Sequence, residues 1–379
     1  MSRFLQIHWL ASYPAALLNR DDAGLAKRIP FGGVTRGRIS SQCLKRHWRL
    51  AGADSLEAAQ ANPWALQNIG VETSIRSKEV VEQRIRPRLE NLETASPEKL
   101  DALCTALIET VYGTKAADPK KRQALLLGEA EIEYLAGKAA EAMQAADDKA
   151  AVDALKTSLK DEKKNIKALV GGGGLQAALF GRMVTSDPAA NTDAAIHVAH
   201  ALTVHALERE LDFMTVVDDL KRREDGDDSG AAGIFDMELA SGLYYGYVVV
   251  DLPLLVANLS ADSNIAGKVL EHVVHLIAEV SPGAKKGSTA PYAYAQWMMV
   301  ELGDRQPRTL ANAFYEPLSA RDASVSDATE RLDFHLQALD EAYGAHEDRR
   351  QMSVDATLTD VSRINLNELA DWAAAGVAS

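Results

Sequence analysis

Between Gly32 and Arg49 the sequence reads GGVTRGRISSQCLKRHWR, and these are the residue types that hold phosphate. Arg36 and Arg38 are two apart, so on an extended segment both point the same way. Ser40 to Gln42 open a helix, where free N–H groups and the positive end of the macrodipole make an anion cradle. On that helix Gln42, Lys45 and Arg49 (i, i+3, i+7) share a face, while Leu44 and Trp48 pack elsewhere. Gly32 and Gly33 let backbone come close to a ligand. From Arg20 to Arg49, eight basic residues (Arg20, Lys27, Arg28, Arg36, Arg38, Lys45, Arg46 and Arg49) meet only Asp21 and Asp22. A lone basic cluster reads as a solvated face. A loop, a helix terminus and a basic stripe converging on one surface read instead as a phosphate-binding site.

Other candidates are weaker. A second basic cluster holds Arg76, Lys78, Arg84, Arg86 and Arg88. The loop PGAKKGSTAPY (282–292) offers Lys285 and Lys286 between glycines, but it lacks the GxxxxGK[ST] pattern, which argues against nucleotide hydrolysis. His197, His200 and His205 do not have metal-binding spacing, and on a strand His197 and His200 face opposite sides, so no metal site is expected. No GxSxG occurs, neither Cys43 nor Cys104 has an evident partner, and the pairs Asp21–Asp22 and Asp218–Asp219 sit in charged contexts. Phe213 and Met214 form an apolar pair suited to wedging against bases, or to a small satellite core. An aromatic content of 6% argues against stacking as the main contact to a nucleic acid.

The elements that must position these residues follow from periodicity. Leu5, Ile7 and Trp9 alternate with Gln6 and His8, which predicts a first strand. A helix follows from Ser40, capped by Ser40 or Ser41 and ended by Gly52. Residues 60–170 read as largely helical, and Gly171 to Gly174 must break that run. Period-two patterns return at 196–204 and 235–249, with a charged excursion between them. Helices are predicted over 262–279, 325–343 and 366–375, and a strand near 294–301. At 379 residues and a net charge of −13, the chain is acidic overall and basic in one place. No stretch approaches the ~18 apolar residues of a membrane span. Two cysteines without redox spacing fit a reduced, cytoplasmic compartment.

Taken in order, LNRDDAG, FGGVTRGRISSQCLKRHWR, GRMVTSD, AHALTVH, DFMTVVDDL, ELASGLYYGY, SPGAKKG and LANAF resemble the CasC family. That family is the seventh Cas protein of type I-E CRISPR systems, the backbone subunit of Cascade. The resemblance runs along essentially the whole chain. It implies an α+β fold: a palm with a modified ferredoxin-like, RRM-like sheet (1–59, 195–206 and 238–379), helical fingers (60–194) and a thumb arm (207–237). It further implies a non-catalytic protein that polymerises along crRNA and kinks it at regular intervals. Expected partners are crRNA, target DNA by way of the crRNA, other copies of the chain and other Cascade subunits, with no cofactor and no membrane. Arg20, Lys45 and Arg49 would hold guide phosphates, supported by Lys27, Arg36, Arg38, Ser40, Ser41, Gln42, Arg46 and Lys285. Met183 would press on the kink. Phe213, Met214 and Thr215 would form the thumb wedge, with Phe-Met standing where the family has two aromatics. The alternative is an RNA endonuclease acting through Asp21 or Asp22.

Overall fold

The computed structural model describes residues 2–72, 74–92, 96–113, 116–161, 174–183, 191–217, 231–319 and 323–377; the side chains of 161, 214–217 and 231–235 lie outside that description. The fold is mixed α+β. It divides into two compact units: 1–65 with 198–250 and 267–379, and 66–197 with 251–266. The second unit thus takes in Asp251–Ala266, a segment that the sequence reading assigned to the palm. Among the described residues, no helix is long and apolar enough to cross a membrane.

The first unit is built on a large sheet whose strands run in the order β12-β11-β10-β1-β9-β7-β3-β2. These are β1 (Phe4–Ala16), β2 (Arg28–Phe31), β3 (Val34–Ile39), β7 (Ala201–Thr203), β9 (Ala231–Asp251), β10 (Trp297–Gly303), β11 (Asp348–Ser353) and β12 (Ser362–Arg363). β1 and β10 are antiparallel, with Ile7 opposite Val300 and Trp9 opposite Met298. The alternation read in β1 does not mark a wet face, because Gln6 and His8 are as buried as Leu5 and Ile7. A strand covered on both sides must satisfy its polar residues internally. Gln6 accepts hydrogen bonds from the Tyr247 hydroxyl (2.6 Å) and the Arg308 N–H (2.9 Å). His8 Nε2 donates to Glu301 (2.9 Å), and the Tyr245 hydroxyl lies 2.8 Å from His8 Nδ1.

Glu301 is also gripped by Arg308 (2.7 Å) and Arg349 (2.7 Å). Burial alone would raise its pKa; hydrogen bonds from His8 and Arg308, with the charge of Arg308, outweigh that and hold the carboxyl well below the usual range. Burial pushes His8 down, so it stays neutral beside this anion. On the same side of the sheet, Leu10, Tyr245, Val249, Trp297 and Met299 pack with Leu332 and Leu336 of the helix Val325–Tyr343. Its bounds are those the apolar spacing predicts.

In the second unit, helices Pro97–Tyr112, Glu129–Met143 and Asp148–Asp161 pack around Leu103, Leu107, Ile132, Ala139 and Leu155. Two strands interrupt the expected helical run. β4 (Ser74–Ser77) and β5 (Leu125–Gly128) pair antiparallel, with Ile75 opposite Leu127. Leu125, Leu126 and Leu127 are all buried, and a short run apolar on every side has no period to distinguish strand from helix.

Candidate nucleic-acid interface

Three backbone ties assemble the predicted site within the first unit. The Lys27 N–H donates to the Asn19 carbonyl (2.8 Å), and the Arg38 N–H donates to the Lys27 carbonyl (2.8 Å). The Ser40 N–H donates to Asn19 Oδ1 (2.9 Å). Asn19 therefore joins the loop carrying Arg20 to β3, which carries Arg38, and to the start of α1 (Ser41–Arg49). The loop is closed by a bridge between Arg20 and Ala26. Sequence spacing gave no sign of this role for Asn19.

α1 is amphipathic. Leu44, His47 and Trp48 are buried, with Trp48 edge-on to Trp9 at 5.9 Å, while Gln42 and Arg46 are exposed and Lys45 and Arg49 half-buried. Gln42, Lys45, Arg46 and Arg49 recur at three- and four-residue steps and form one stripe. Gly52, at φ +78°, closes the helix with its N–H on the His47 carbonyl (2.9 Å).

Several predicted contributors serve the fold instead. Arg36 is 0% exposed, and its guanidinium donates to the carbonyls of Phe31 (3.1 Å), Thr203 (2.9 Å) and Phe314 (2.7 Å). It is a strut between β3, β7 and the Phe314 turn, not a phosphate ligand, because all of its donors point into the chain. Gly32 and Gly33 make the β2–β3 turn with φ +62° and +80°. A Cβ on Gly32 would lie 1.6 Å from the Tyr315 carbonyl oxygen, so the close approach is to the protein's own backbone. The expected N–H cradle is largely occupied: the buried Ser40 hydroxyl accepts from the Cys43 N–H (3.3 Å), and the Ser41 N–H donates to His200 Nδ1 (3.0 Å). Ser40 is thus the helix cap, and His200 a second one.

What remains open is charge. Among the described residues Arg20, Lys27, Arg38 and Arg46 make no ion pair, and Arg38 Nε is a buried donor with no hydrogen-bond partner. Arg28 leans toward a carboxylate, Glu238, at 4.0 Å. Burial, then the charges of Arg38, Lys27 and Lys45, pushes the His200 pKa down, which keeps Nδ1 free to accept from Ser41. The Cys43 thiol is pushed up to about 11 by burial, against the pull of Arg46 and Lys27. Four cations, Lys27, Arg38, Lys45 and Arg46, thus act on two side chains of one face. The loop after Val280 joins it: the Gly283 N–H donates to His47 Nε2 (3.3 Å), and Lys286 Nζ donates to the Gly52 carbonyl. Lys286 is thereby tied down, whereas the Lys285 ammonium has no ion pair among the described residues.

The other candidates are placed as follows. In the second unit, Arg84 pairs with Glu129 (3.0 Å), Arg88 with the same carboxylate, and Arg86 with Glu90 and Asp101 (2.8 Å each). Met183, 66% exposed, lines a cavity of about 450 Å³ with Arg76, Gln123, Phe180, Arg182 and Thr192. Arg182 is held on Glu131 (2.5 Å). In the first unit, β8 (Glu208–Val217) pairs antiparallel with β9 and, among the described residues, with no other strand. Phe213 is 67% exposed on it and, two residues away, Leu211 is exposed as well. These two share a strand face, so Leu211, which sequence reading passed over, is Phe213's neighbour. Met214 and Thr215 lie in β8, but their side chains are outside the described residues.

His205 is buried, with Nδ1 on the Ala206 carbonyl (2.7 Å) and Nε2 accepting from the Leu243 N–H (3.2 Å). Asp21 Oδ1 accepts from the Ala23 (2.9 Å) and Leu25 (3.0 Å) N–H groups and shapes its own turn.

Compared with known structures, this fold is that of subunits of RNA-guided CRISPR complexes. Over 99% of its length the chain is similar to the whole of a chain in a "CRISPR RNA-guided surveillance complex, pre-nicking", with a TM-score of 0.78 and 23% identity. A chain of a second such complex matches over 98% of both chains, with a TM-score of 0.60 and 20% identity. No curated protein matches the sequence significantly. The Cas_CT1975 family model, described as CT1975-like protein, matches residues 5–374, and the chain belongs to that family.

Proposed function

We propose that this chain is a guide-RNA-binding backbone subunit of a CRISPR surveillance complex, of type I-E and CasC-like. It polymerises along crRNA with other copies of itself, kinks the guide at intervals, and presents it to target DNA without cutting it. The observation that carries the reading is the face of Arg20, Lys27, Arg38 and Arg46, which make no ion pair among the described residues and which Lys45 adjoins on α1. On a chain with a net charge of −13, such a face is matched to a polyanion. It lies on a fold shared with RNA-guided complexes. Gripping phosphate leaves sequence selection to base pairing, which is the division of labour that RNA-guided recognition requires. The exposed Leu211–Phe213 face of the β8–β9 ribbon supports the wedge part of the reading. Asp21's engagement with its own turn speaks against cleavage through that carboxylate.

The test is direct binding of a guide-length RNA across a salt series. Wild type should bind with a log–log slope of about −0.7 per phosphate neutralised. Lys27→Glu with Lys45→Glu should abolish binding at physiological salt without unfolding the chain; tight binding by that variant places the RNA elsewhere. RNA paired to a complementary strand should stay intact with divalent ions, and cleavage lost in Asp21→Asn or Asp22→Asn would establish the nuclease instead.

A further inference from the structure

Two of the most exposed large side chains in the molecule are Tyr292, 73% exposed, and Tyr294, 69% exposed. Among the described residues their rings make no ring contact and their hydroxyls no hydrogen bond. They flank Ala293, whose N–H donates to Ser281 Oγ (2.8 Å) and whose carbonyl accepts from the same hydroxyl (2.6 Å). The segment is braced beyond that point. Ala295 N–H reaches the Ala278 carbonyl (2.7 Å), Ala284 N–H reaches Leu17 (2.9 Å), and Tyr292 N–H reaches Ala290 (2.7 Å). Burial alternates from Pro291 to Ala295, so both rings stand on the solvent side of an extended stretch. These are aromatic surfaces held out in water by a fixed backbone, not side chains trailing from a loose loop. Exposed apolar surface presented in this way marks a contact site.

The surroundings select the occupant. Pro291 packs against Gly283, where a Cβ would come within 2.5 Å of the Pro291 ring. The Gly283 N–H is bonded to His47 of α1. Lys285 and Lys286 lie in the same turn, and the charges of Lys286 and Arg46 both reach His47. Pro291 and Gly283 thus join the tyrosine segment to the helix that carries the cations, although Lys286 itself also pairs with Asp54 (3.8 Å). Aromatic rings beside a row of cations are the combination that holds a single-stranded nucleic acid, the rings taking bases and the cations taking phosphates.

Resting on the RNA-binding reading above, we propose that Tyr292 and Tyr294 form a stacking shelf for unpaired bases of the RNA whose phosphates run along α1. The shelf is indifferent to base identity, since every base offers a π face.

The full chain, with a labelled single-stranded RNA of mixed sequence and an abasic strand of the same length, tests this. Tyr292→Ala with Tyr294→Ala should lower affinity for the RNA about tenfold per ring, leave the salt slope unchanged, and narrow the preference for RNA over the abasic strand. The double Tyr→Phe variant should bind like wild type, because stacking needs no hydroxyl. Unchanged affinity in the Ala variant overturns the shelf. So does equal wild-type affinity for both strands, or an effect confined to self-association in sedimentation, which would assign the rings to a second copy. If Lys27→Glu with Lys45→Glu still lowers affinity while the tyrosines are silent, only the shelf fails. If neither pair matters, the phosphate face fails with it.

Discussion

Two basic stretches, Arg20–Arg49 and Arg76–Arg88, have opposite electrostatic fates. In the second, Arg84 and Arg88 share Glu129, Arg86 is clasped by Glu90 and Asp101, and Lys78 donates to the Lys120 carbonyl. In the first, Arg36 is spent inside the fold and Arg28 leans on Glu238, while Arg20, Lys27, Arg38 and Arg46 find no carboxylate among the described residues. A count of arginines and lysines therefore does not locate a polyanion site. The useful quantity is charge left over after the fold has paired what it can. Acid was available to the second stretch, from Glu90 just beyond it and from Asp101 and Glu129 on neighbouring helices. Within the first the acids are Asp21, folded into its own turn, and the exposed Asp22, with Glu238 reaching it at Arg28 and the Ala26 N–H.

The largest expected effect tests that contrast at its strong end. Lys27→Glu with Lys45→Glu should cost at least about a hundredfold in RNA affinity at physiological salt, read by anisotropy, since it removes phosphate contacts and adds repulsion. Arg36→Met should instead weaken the fold by about 3–5 kcal/mol in urea unfolding, because carbonyls of Thr203 and Phe314 lose a buried charged donor. RNA affinity of the folded fraction should stay near wild type, and a large loss there would return Arg36 to the binding face.

Acid should act on the fold through the buried bases. The folded-state pKa values of His8, His47 and His272 lie below the unfolded value of 6.5, chiefly through burial. Their neutral forms stabilise the native state above pH 6.5, and that contribution is lost as pH falls below it. Glu301, also depressed, adds a loss at lower pH of the same sign. Tm should therefore drop between pH 8 and pH 5.5, and a flat profile would contradict the buried network. The smallest effect belongs to the paired cluster. Arg84→Ala with Arg88→Ala should change RNA affinity by less than about twofold. Because those pairs are partly exposed, stability should change by no more than about 1 kcal/mol. A larger loss of affinity would show that paired arginines still serve RNA.

Local signals carried far. The helices Val325–Tyr343 and Leu366–Ala375 have the bounds their apolar spacing predicts, and Ser40 caps α1 as its place before an apolar stripe requires. The basic stripe of α1 was equally legible, since 3.6-residue periodicity fixes which side chains share a face. The pairing of β4 with β5, the second covered face of β1 and the neighbour of Phe213 were not. Each depends on what packs against a segment.

The sequence by itself determined an α+β chain, acidic in total, with a concentrated run of cations after its first strand and a capped helix carrying part of that run. Only the tertiary structure decided which cations stay available. Arg36 finds its acceptors 167 and 278 residues away, and Asn19, bonded to Lys27 and Ser40, with Lys27 bonded in turn to Arg38, ties these segments into one surface. Strand pairing and hydrogen bonding are satisfied between partners distant in sequence, so no local pattern announces whether a charged side chain ends in the core or in water.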